Sequence, residues 1–423
     1  MRLAILLLIA GLAGLGCGHT AEDPASKASL ATGPWRVVLD LDSTGASLGL
    51  PFLFEMDSSQ GRWQMVVHNQ DEAITVDSVF IDGDRIRIRM PFFDSEFLGT
   101  IRSDSLFDGV WVNHYKGPGY QLPFTAKAGT QPRFGRSQGP ASADISGDWE
   151  VHFTENDGDE PAIGIFRAEN GRVKGSFATE AGDLRFLDGV VTGDSLFLSA
   201  FNGSQAYLFR ARIHGDRMDG EFRSGHRWKQ PWHAVRNPDF KLADDERITT
   251  LNPGHPVNFS FPDTHGAVRS LTDERYLGKV VVLEIMGSWC PNCIDEARML
   301  REFHRKYHDK GLETVAIAFE YKDDSTSAMP ALRNFKRRLD LPYDLLFAGS
   351  NKRDSVAKKL PFIARLHAYP TTLLIGRDGQ VKRIYTGIYG PGTGERYFRF
   401  RERMENSIVE LLRDTVRVAA LAR

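Results

Sequence analysis

The spacing of hydrophobic and polar residues divides the chain into two halves with different periods. From about residue 33 to residue 236, short runs of alternating apolar and polar positions are separated by Gly-Asp, Asp-Gly and Asn-Gly pairs. This pattern is typical of antiparallel β-hairpins, and short strands at regular spacing indicate barrels or sandwiches. The first half is therefore predicted to be all-β.

Two stretches of this half, 33–127 and 147–236, form an internal repeat. Gly33-Pro34-Trp35 in the first is echoed by Gly147-Asp148-Trp149 in the second. Residues 128–146 are rich in Gly, Pro, Ser, Gln and Ala, and they are predicted to be a linker. The pattern leaves open whether the two units close one barrel or two.

The Gly-x-Trp that opens each unit resembles the first strand of lipocalin-like barrels. Trp35 and Trp149 could line a pocket for a small ligand, but tryptophans at such positions more often close the floor of a barrel. A scaffold or a module that docks a partner is the favoured interpretation of the β-rich half.

After a second predicted linker, 237–252, the pattern changes to alternating strands and helices across residues 253–423. Such alternation predicts an α/β domain with a mixed sheet. The predicted strands are Val280–Met286, Glu313–Phe319, Tyr343–Phe347, Thr371–Ile375 and Val381–Thr386, and the predicted helices are Pro291–Lys310, Pro330–Leu339 and Glu395–Leu412.

Composition supports a multidomain globular protein. The chain has 423 residues, of which 41% are hydrophobic, with 53 basic and 55 acidic residues. This length suits two or three domains. The net charge of -2 argues against nucleic acid as the main partner.

The N-terminus has the pattern of an export signal. Arg2 precedes an apolar run, Leu3–Leu15, that is too short to span a bilayer comfortably. Residues 1–16 are therefore predicted to be a secretory signal peptide. Its end resembles a bacterial lipoprotein box in which Cys17 is lipid-modified, although Gly14 stands where that family usually has leucine. The alternative is an ordinary signal peptide, and residues 17–32 are small and polar, as a membrane tether should be.

Cys290-Pro291-Asn292-Cys293 lies between a predicted strand and a predicted helix. A helix N-terminus carries a partial positive charge, which favours the thiolate form of a cysteine placed there. The second cysteine, one turn later, is positioned to attack a mixed disulfide. Pro291 suits the first helical position, where no N–H is needed. This arrangement predicts an exchanging dithiol.

A zinc site and a structural disulfide are the alternatives. His304 and His308 follow the cysteines at a spacing near that of a zinc finger. In one continuous helix, however, His304 would lie about 16 Å from Cys293 along the axis, too far for a single zinc ion. We therefore expect no metal at the dithiol.

Residues 253–413 resemble the thioredoxin superfamily, specifically the TlpA/ResA-like exported thiol–disulfide oxidoreductases. The motifs that carry the resemblance are Phe261-Pro262-Asp263, Leu277-Gly278-Lys279-Val280, Trp289-Cys290-Pro291-Asn292-Cys293, Lys310-Gly311-Leu312-Glu313, Tyr369-Pro370-Thr371-Thr372 and Arg377-Asp378-Gly379. The resemblance implies a central sheet flanked by helices, with the first cysteine exposed at a helix start. The β-rich half resembles, in broad pattern only, the accessory domains of Bacteroidetes-like lipoproteins.

The resemblance also implies residues that bind substrate. Pro370 corresponds to the family's cis-proline, which lies beside the CxxC motif and presents backbone to a bound substrate. Trp289, Pro291 and Tyr369 would complete that surface. The alternative for Pro370 is a trans proline that begins a strand.

Two glutamates are candidates for proton transfer. Glu296 matches an acidic position of the ResA-like pattern near the cysteines, and its alternative is a solvated residue in the first helical turn. Glu284 interrupts the apolar run Val280–Met286, six residues before Cys290, where thioredoxin has a buried aspartate and TlpA-like members more often have asparagine. Burial would raise its pKa toward the range useful for catalysis. An exposed or structurally paired glutamate is the alternative.

The sequence therefore predicts an exported, membrane-anchored thiol–disulfide oxidoreductase of a bacterial cell envelope. Cys290 would attack disulfides of partner proteins, Cys293 would resolve, and an upstream dithiol donor would restore the pair without a prosthetic cofactor. The Cys-Pro-Asn-Cys order departs from reductase-like motifs, so an oxidase or isomerase remains an alternative. A non-enzymatic binding or assembly lipoprotein is another. A peroxidase is disfavoured because no Thr-x-x-Cys or Ser-x-x-Cys precedes either thiol.

Overall fold

The computed structural model describes residues 30–42, 48–135, 143–155 and 158–414. The predicted signal peptide, Cys17 and most of the predicted tether lie outside these ranges, as does part of the first predicted linker. No helix within the described ranges combines the length and the apolarity needed to cross a membrane.

The β-rich half forms two closed barrels. In barrel 1, eight antiparallel strands follow one another in chain order, and β1 pairs with both β2 and β8. Its strands are β1 (Gly33–Asp40), β2 (Gly49–Ser59), β3 (Arg62–Asn69), β4 (Glu72–Asp82), β5 (Arg85–Arg89), β6 (Ser95–Ser103), β7 (Leu106–Asn113) and β8 (Gln121–Ala128).

Barrel 2 repeats this architecture, because its first strand, β9, pairs with β10 and with the last strand, β17. One short extra strand, β12, pairs only with the end of β11. The strands are β9 (Gly147–Glu155), β10 (Gly158–Glu169), β11 (Arg172–Thr179), β12 (Gly182–Asp183), β13 (Leu187–Thr192), β14 (Ser195–Phe201), β15 (Ala206–His214), β16 (Arg217–Ser224) and β17 (Trp228–Arg236). The question that the sequence left open is answered in favour of two barrels.

The tryptophans that open the repeats have equivalent structural positions. Both are buried, and the indole N–H of Trp35 donates to the carbonyl of Ala31 at 2.9 Å, as that of Trp149 does to Ile145 at 2.9 Å. Trp35 stacks on Phe54 with ring centroids 5.8 Å apart. Both side chains are thus part of the barrel cores, which are filled with aromatic rings.

The C-terminal domain has the predicted α/β architecture with a mixed sheet. The strand order is β23-β22-β21-β25-β26, with β21 parallel to β22 and antiparallel to β25. Its elements are α1 (Asp245–Ile248), β18 (Thr250–Leu251), β19 (Ser260–Pro262), β20 (Val268–Ser270), β21 (Val280–Met286), α2 (Pro291–Tyr307), β22 (Leu312–Glu320), α3 (Ser325–Leu339), β23 (Asp344–Ser350), α4 (Arg353–Lys359), β24 (Ile363–Arg365), β25 (Thr371–Ile375), β26 (Val381–Thr386) and α5 (Glu395–Arg413).

Two details differ from the sequence prediction. Helix α3 begins at Ser325 rather than at Pro330, because the side chain of Asp324 accepts the N–H of Ser327 at 2.8 Å and caps the helix. Residues 237–252, predicted as a linker, contain α1 and β18, and β18 pairs with β24. The C-terminal domain therefore begins before residue 253.

The central strand β21 is buried on both faces. Val280, Val282 and Met286 pack in one apolar cluster with both cysteines and with α2, whereas Val281, Leu283 and Ile285 pack in a second cluster on the opposite face. Since side chains alternate along a strand, Glu284 lies on the face of the cysteines.

Candidate active site

The dithiol lies where β21 gives way to α2. Cys290 has extended backbone and caps the helix: its sulfur accepts the backbone N–H of Cys293 at 3.3 Å. Pro291 occupies the first helical turn, as predicted. Both cysteines are free thiols. The first sulfur therefore lies at the positive end of a helix of 17 residues.

The residues predicted to bind substrate surround Cys290. The Tyr369–Pro370 peptide bond is cis. The thiol of Cys290 donates to the carbonyl of Tyr369 at 3.5 Å, so the backbone before this proline contacts the first sulfur. Trp289 packs edge-on against Tyr369 with centroids 5.4 Å apart, and its indole N–H donates to the carbonyl of Phe319 at 2.9 Å.

The expectation that the first cysteine is exposed is wrong. Cys290 is only 5% exposed and Cys293 is 0% exposed, although the order of the two agrees with the prediction. Barrel 2 packs against the residues that flank Cys290 at the start of α2. The side-chain amide of Asn292 donates to the carbonyl of Asp183 at 3.1 Å, and the hydroxyl of Ser204 donates to the carbonyl of Trp289 at 3.4 Å.

A buried group of charges, which we call the junction cluster, lies beside the dithiol and consists of Glu72, Asp183, Arg185 and Asp295. Arg185, from barrel 2, forms ion pairs with Glu72 of barrel 1 and Asp295 of α2. Its guanidinium also donates to the carbonyl of Pro291 at 3.4 Å. Burial raises the pKa of Asp183 to about 6, against the opposing effect of Arg185. One guanidinium therefore connects all three domains.

Glu284 and Glu296, which we call the carboxyl pair, lie on the other side of α2. Both are 0% exposed, so the alternatives of an exposed strand position and of a solvated first-turn residue are wrong. Among the described residues, neither oxygen of Glu284 has a hydrogen-bond partner. Thr372, which lies opposite Glu284 on β25, donates its hydroxyl to Glu296 at 2.9 Å.

Burial without counter-ions sets the protonation of these groups. It raises the pKa of Glu296 to about 8, and it raises the pKa of Glu284 well above the ordinary value, with a further contribution from the charge of Glu296. The pKa of Cys293 is also raised, first by burial and then by Cys290 and the charge of Glu284. The carboxyl pair can thus hold a proton near neutral pH, close to the second cysteine.

A third buried carboxylate, Glu320, was not predicted. It ends β22, and its carboxylate accepts the backbone N–H and the hydroxyl of Ser288, both at 2.8 Å. Burial raises its pKa to about 7. The sequence does contain a signal for this residue, because Glu320 directly follows the apolar run Val315–Phe319. A carboxylate next to apolar neighbours is the same kind of signal that identified Glu284.

The histidines considered as zinc ligands are not near the cysteines. One ring nitrogen each of His304 and His308 and one carboxylate oxygen of Glu313 lie within 4.8 Å of one another, so that in the described part of the chain these three residues could hold a metal. They lie at the far end of α2 from the dithiol. The Nδ1 atom of His308 lies 3.5 Å from a carboxylate oxygen of Glu313, and burial lowers the pKa of His304 to about 4.

The mixed sheet and the CxxC motif at the start of α2 are those of a thioredoxin-like domain. Residues 253–384 match the model of the AhpC/TSA family. The chain is 31% identical over 124 residues to the thiol-disulfide oxidoreductase ResA of Bacillus thuringiensis, covering 29% of this chain and 63% of that protein. It is 31% identical over 137 residues to ResA of Geobacillus thermodenitrificans, covering 31% of this chain and 66% of that protein.

One similar solved structure is a putative thiol:disulfide interchange protein DsbE from Chlorobium tepidum. It is 23% identical, covers 39% of this chain and 96% of its own, and has a TM-score of 0.29. The matches to the ResA proteins leave more than a third of the first of those relatives uncovered.

Proposed function

We propose that the protein is an exported thiol–disulfide oxidoreductase that reduces disulfides of partner proteins through Cys290 and Cys293. The observation that carries this proposal is the first sulfur at the start of α2, in contact with the backbone carbonyl that precedes cis-Pro370. The similarity of this domain to proteins named thiol-disulfide oxidoreductase supports the same activity.

The reaction is a two-electron exchange. The Cys290 thiolate attacks one sulfur of a substrate disulfide, a mixed disulfide forms, and the first substrate thiolate leaves. The Cys293 thiolate then attacks the Cys290 sulfur and releases the second. The substrate gains two electrons, and its thiols receive the two protons that Cys290 and Cys293 lose. An upstream dithiol donor reduces the Cys290–Cys293 disulfide for the next cycle.

The direction of electron flow depends on how far the reduced dithiol is stabilised, typically as a thiolate. Burial raises the pKa of Cys293, with further contributions from Cys290 and Glu284, so the second cysteine adds no such stabilisation. The measured reduction potential decides between a reductase and an oxidase or isomerase.

The experiment is insulin reduction in the presence of dithiothreitol, with Cys290→Ser as the inactive variant. A measured potential of about -270 mV would support a reductase, whereas one of about -120 mV would indicate an oxidant. If the wild-type protein reduces neither insulin nor small disulfides, a non-enzymatic binding lipoprotein is favoured instead.

Anchoring in the cell envelope is a separate part of the proposal. It depends on the apolar run Leu3–Leu15 and on Cys17. Cys17→Ala should release the protein from membranes or block its processing. If the membrane fraction and the mass are unchanged, Cys17 is not lipidated.

A further inference from the structure

Barrel 1 and barrel 2 differ where barrel 2 meets the dithiol. In barrel 1 the third and fourth strands are joined by two residues, 70–71. In barrel 2 the equivalent strands, β11 and β13, are joined by residues 180–186, which we call the cover loop. The repeat therefore carries an insertion in its second copy alone.

The cover loop fits closely against the start of α2. Gly182 has a φ of +125°, and a Cβ added there would lie 2.5 Å from the side-chain nitrogen of Asn292. On the facing side, a Cβ added to Gly387 would lie 2.7 Å from the backbone of Ala181. Arg185 has a left-handed φ of 64°, a conformation that a non-glycine residue keeps only where its surroundings impose it. The loop is thus held in one shape by the surface it covers.

Further contacts close the remaining sides of the dithiol. Tyr115 of barrel 1 stacks on Tyr321 with ring centroids 5.0 Å apart, and Tyr321 packs on Trp289 at 4.9 Å. Phe93 of barrel 1 belongs to the apolar cluster that contains both cysteines. Barrel residues thus occupy the surface beside Cys290 that a substrate needs.

From these contacts we propose that the two barrels are an autoinhibitory cover over the dithiol, which opens at the junction cluster before a protein disulfide can reach Cys290. This inference rests on the proposed function. In the closed form, Cys290 is too enclosed for a mixed disulfide with a folded protein. Opening separates Arg185 from Asp295, and the cover loop leaves the surface in front of cis-Pro370.

The matched test compares two buried arginines. Arg185→Gln removes the ion pair between the cover loop and α2. Arg133→Gln is the control: Arg133 is also buried and contacts Pro51, His68, Asp188 and Ser199 within the two barrels. Both variants lose a buried guanidinium, but only the first loses a contact with the C-terminal domain.

The measurement is the labelling of Cys290 in the reduced full-length protein by two reagents. Iodoacetamide is small, whereas a maleimide with a polyethylene glycol chain is bulky, and the ratio of the two rates cancels changes in thiol reactivity. Removing one partner of a buried ion pair strongly destabilises the state that contains the pair, here the closed form. Arg185→Gln should therefore populate the open form and raise the bulky-to-small ratio about tenfold or more. Arg133→Gln should leave it unchanged.

A second variant avoids leaving carboxylates unpaired in the interior. Arg338 and Arg396 form partly exposed ion pairs with Asp77 of barrel 1 and Asp148 of barrel 2, at 2.7 Å each. The double variant Arg338→Ala, Arg396→Ala should keep the fold and raise the same ratio by a smaller factor.

Insulin reduction separates this inference from the proposed function. If the cover is correct, Arg185→Gln reduces insulin faster than the wild type while both reduce a small disulfide such as cystamine. The alternative outcome is that the wild type reduces insulin and reacts with the bulky label as readily as Arg185→Gln and the double variant do. In that case the proposal of an autoinhibitory cover is wrong, and the proposed function stands. If no variant reduces either disulfide, the function itself fails.

Discussion

Asp295 and Glu296 are neighbours in the first turns of α2, yet their carboxyls lie in opposite environments. Asp295 faces barrel 2 and forms an ion pair with Arg185. Glu296 faces the sheet, where its only described hydrogen-bond donor is Thr372 and where its charge, in addition to burial, raises the pKa of Glu284. Both carboxyls are buried, but only the first has a counter-ion. The ion pair of Asp295 links α2 to barrel 2, whereas the carboxyl of Glu296, which has no counter-ion, is able to exchange a proton.

The largest effect expected from this difference is on catalysis. Glu284→Gln should slow the resolution of a mixed disulfide by about 10²–10⁴-fold near neutral pH while sparing the initial attack by Cys290, because only the second step needs a base beside Cys293. Stopped-flow measurement of both steps would test this. Resolution at the wild-type rate from pH 6 to pH 8 would make Glu284 a structural residue.

The next effect concerns stability and pH. The folded protein keeps the proton of Glu296 up to a pKa of about 8, whereas the unfolded chain releases it near the ordinary value of 4.5. The folded state therefore binds more protons between these values, and the free energy of unfolding falls as the pH rises through that window. Glu296→Gln should abolish this loss, so that its stability relative to the wild type rises with pH and levels off above about 8. Urea denaturation at several pH values measures it, and a constant difference would contradict the assignment.

Substitution of Asp295, which has a counter-ion, should have the opposite effect on stability to substitution of Glu296. Asp295→Asn removes a charged partner of Arg185 and should cost about 2 kcal/mol of stability. Glu296→Gln, one residue away, is its matched control and should show no such loss at pH 8. Equal destabilisation by both would mean that the two environments do not differ in the way the contacts indicate.

The smallest expected effect is that of Thr372→Val. The hydroxyl of Thr372 lowers the pKa of Glu296 against the larger effect of burial. Its removal should therefore raise that pKa further and shift the pH profile of resolution to higher pH, with a change of about 1 kcal/mol in stability. A pH profile identical to that of the wild type would show that this hydrogen bond has no part in proton transfer.

Local signals in the sequence were enough to predict part of the site. The CxxC motif after an apolar strand predicted Cys290 at the helix start, and a glutamate within that strand predicted burial of Glu284. Both depend on neighbours close in sequence. The start of helix α3 is predicted less well, because the sequence pattern indicates a start at Pro330 whereas the helix begins at Ser325.

Contacts between distant residues could not be predicted. Asn292 and Asp183 are 109 residues apart, and Arg185 and Asp295 are 110 apart. The hydrophobic pattern around each of these residues predicts only the secondary structure and the buried face of its own segment. It carries no information about which residue of another domain will lie against that segment. These contacts bring barrel 2 against the start of α2, where Cys290 is buried, and the exposure that the family resemblance implied for Cys290 is therefore wrong.

Closure of both barrels also has a consequence for solubility. A sheet edge presents unpaired N–H and C=O groups to which another chain can add a strand. In barrel 1 the pairing of β1 with β8, and in barrel 2 that of β9 with β17, leaves the main strands bonded on both sides. Edge strands remain in the five-stranded sheet, where β23 and β26 are outermost. Self-association through strand addition should therefore begin at the C-terminal domain.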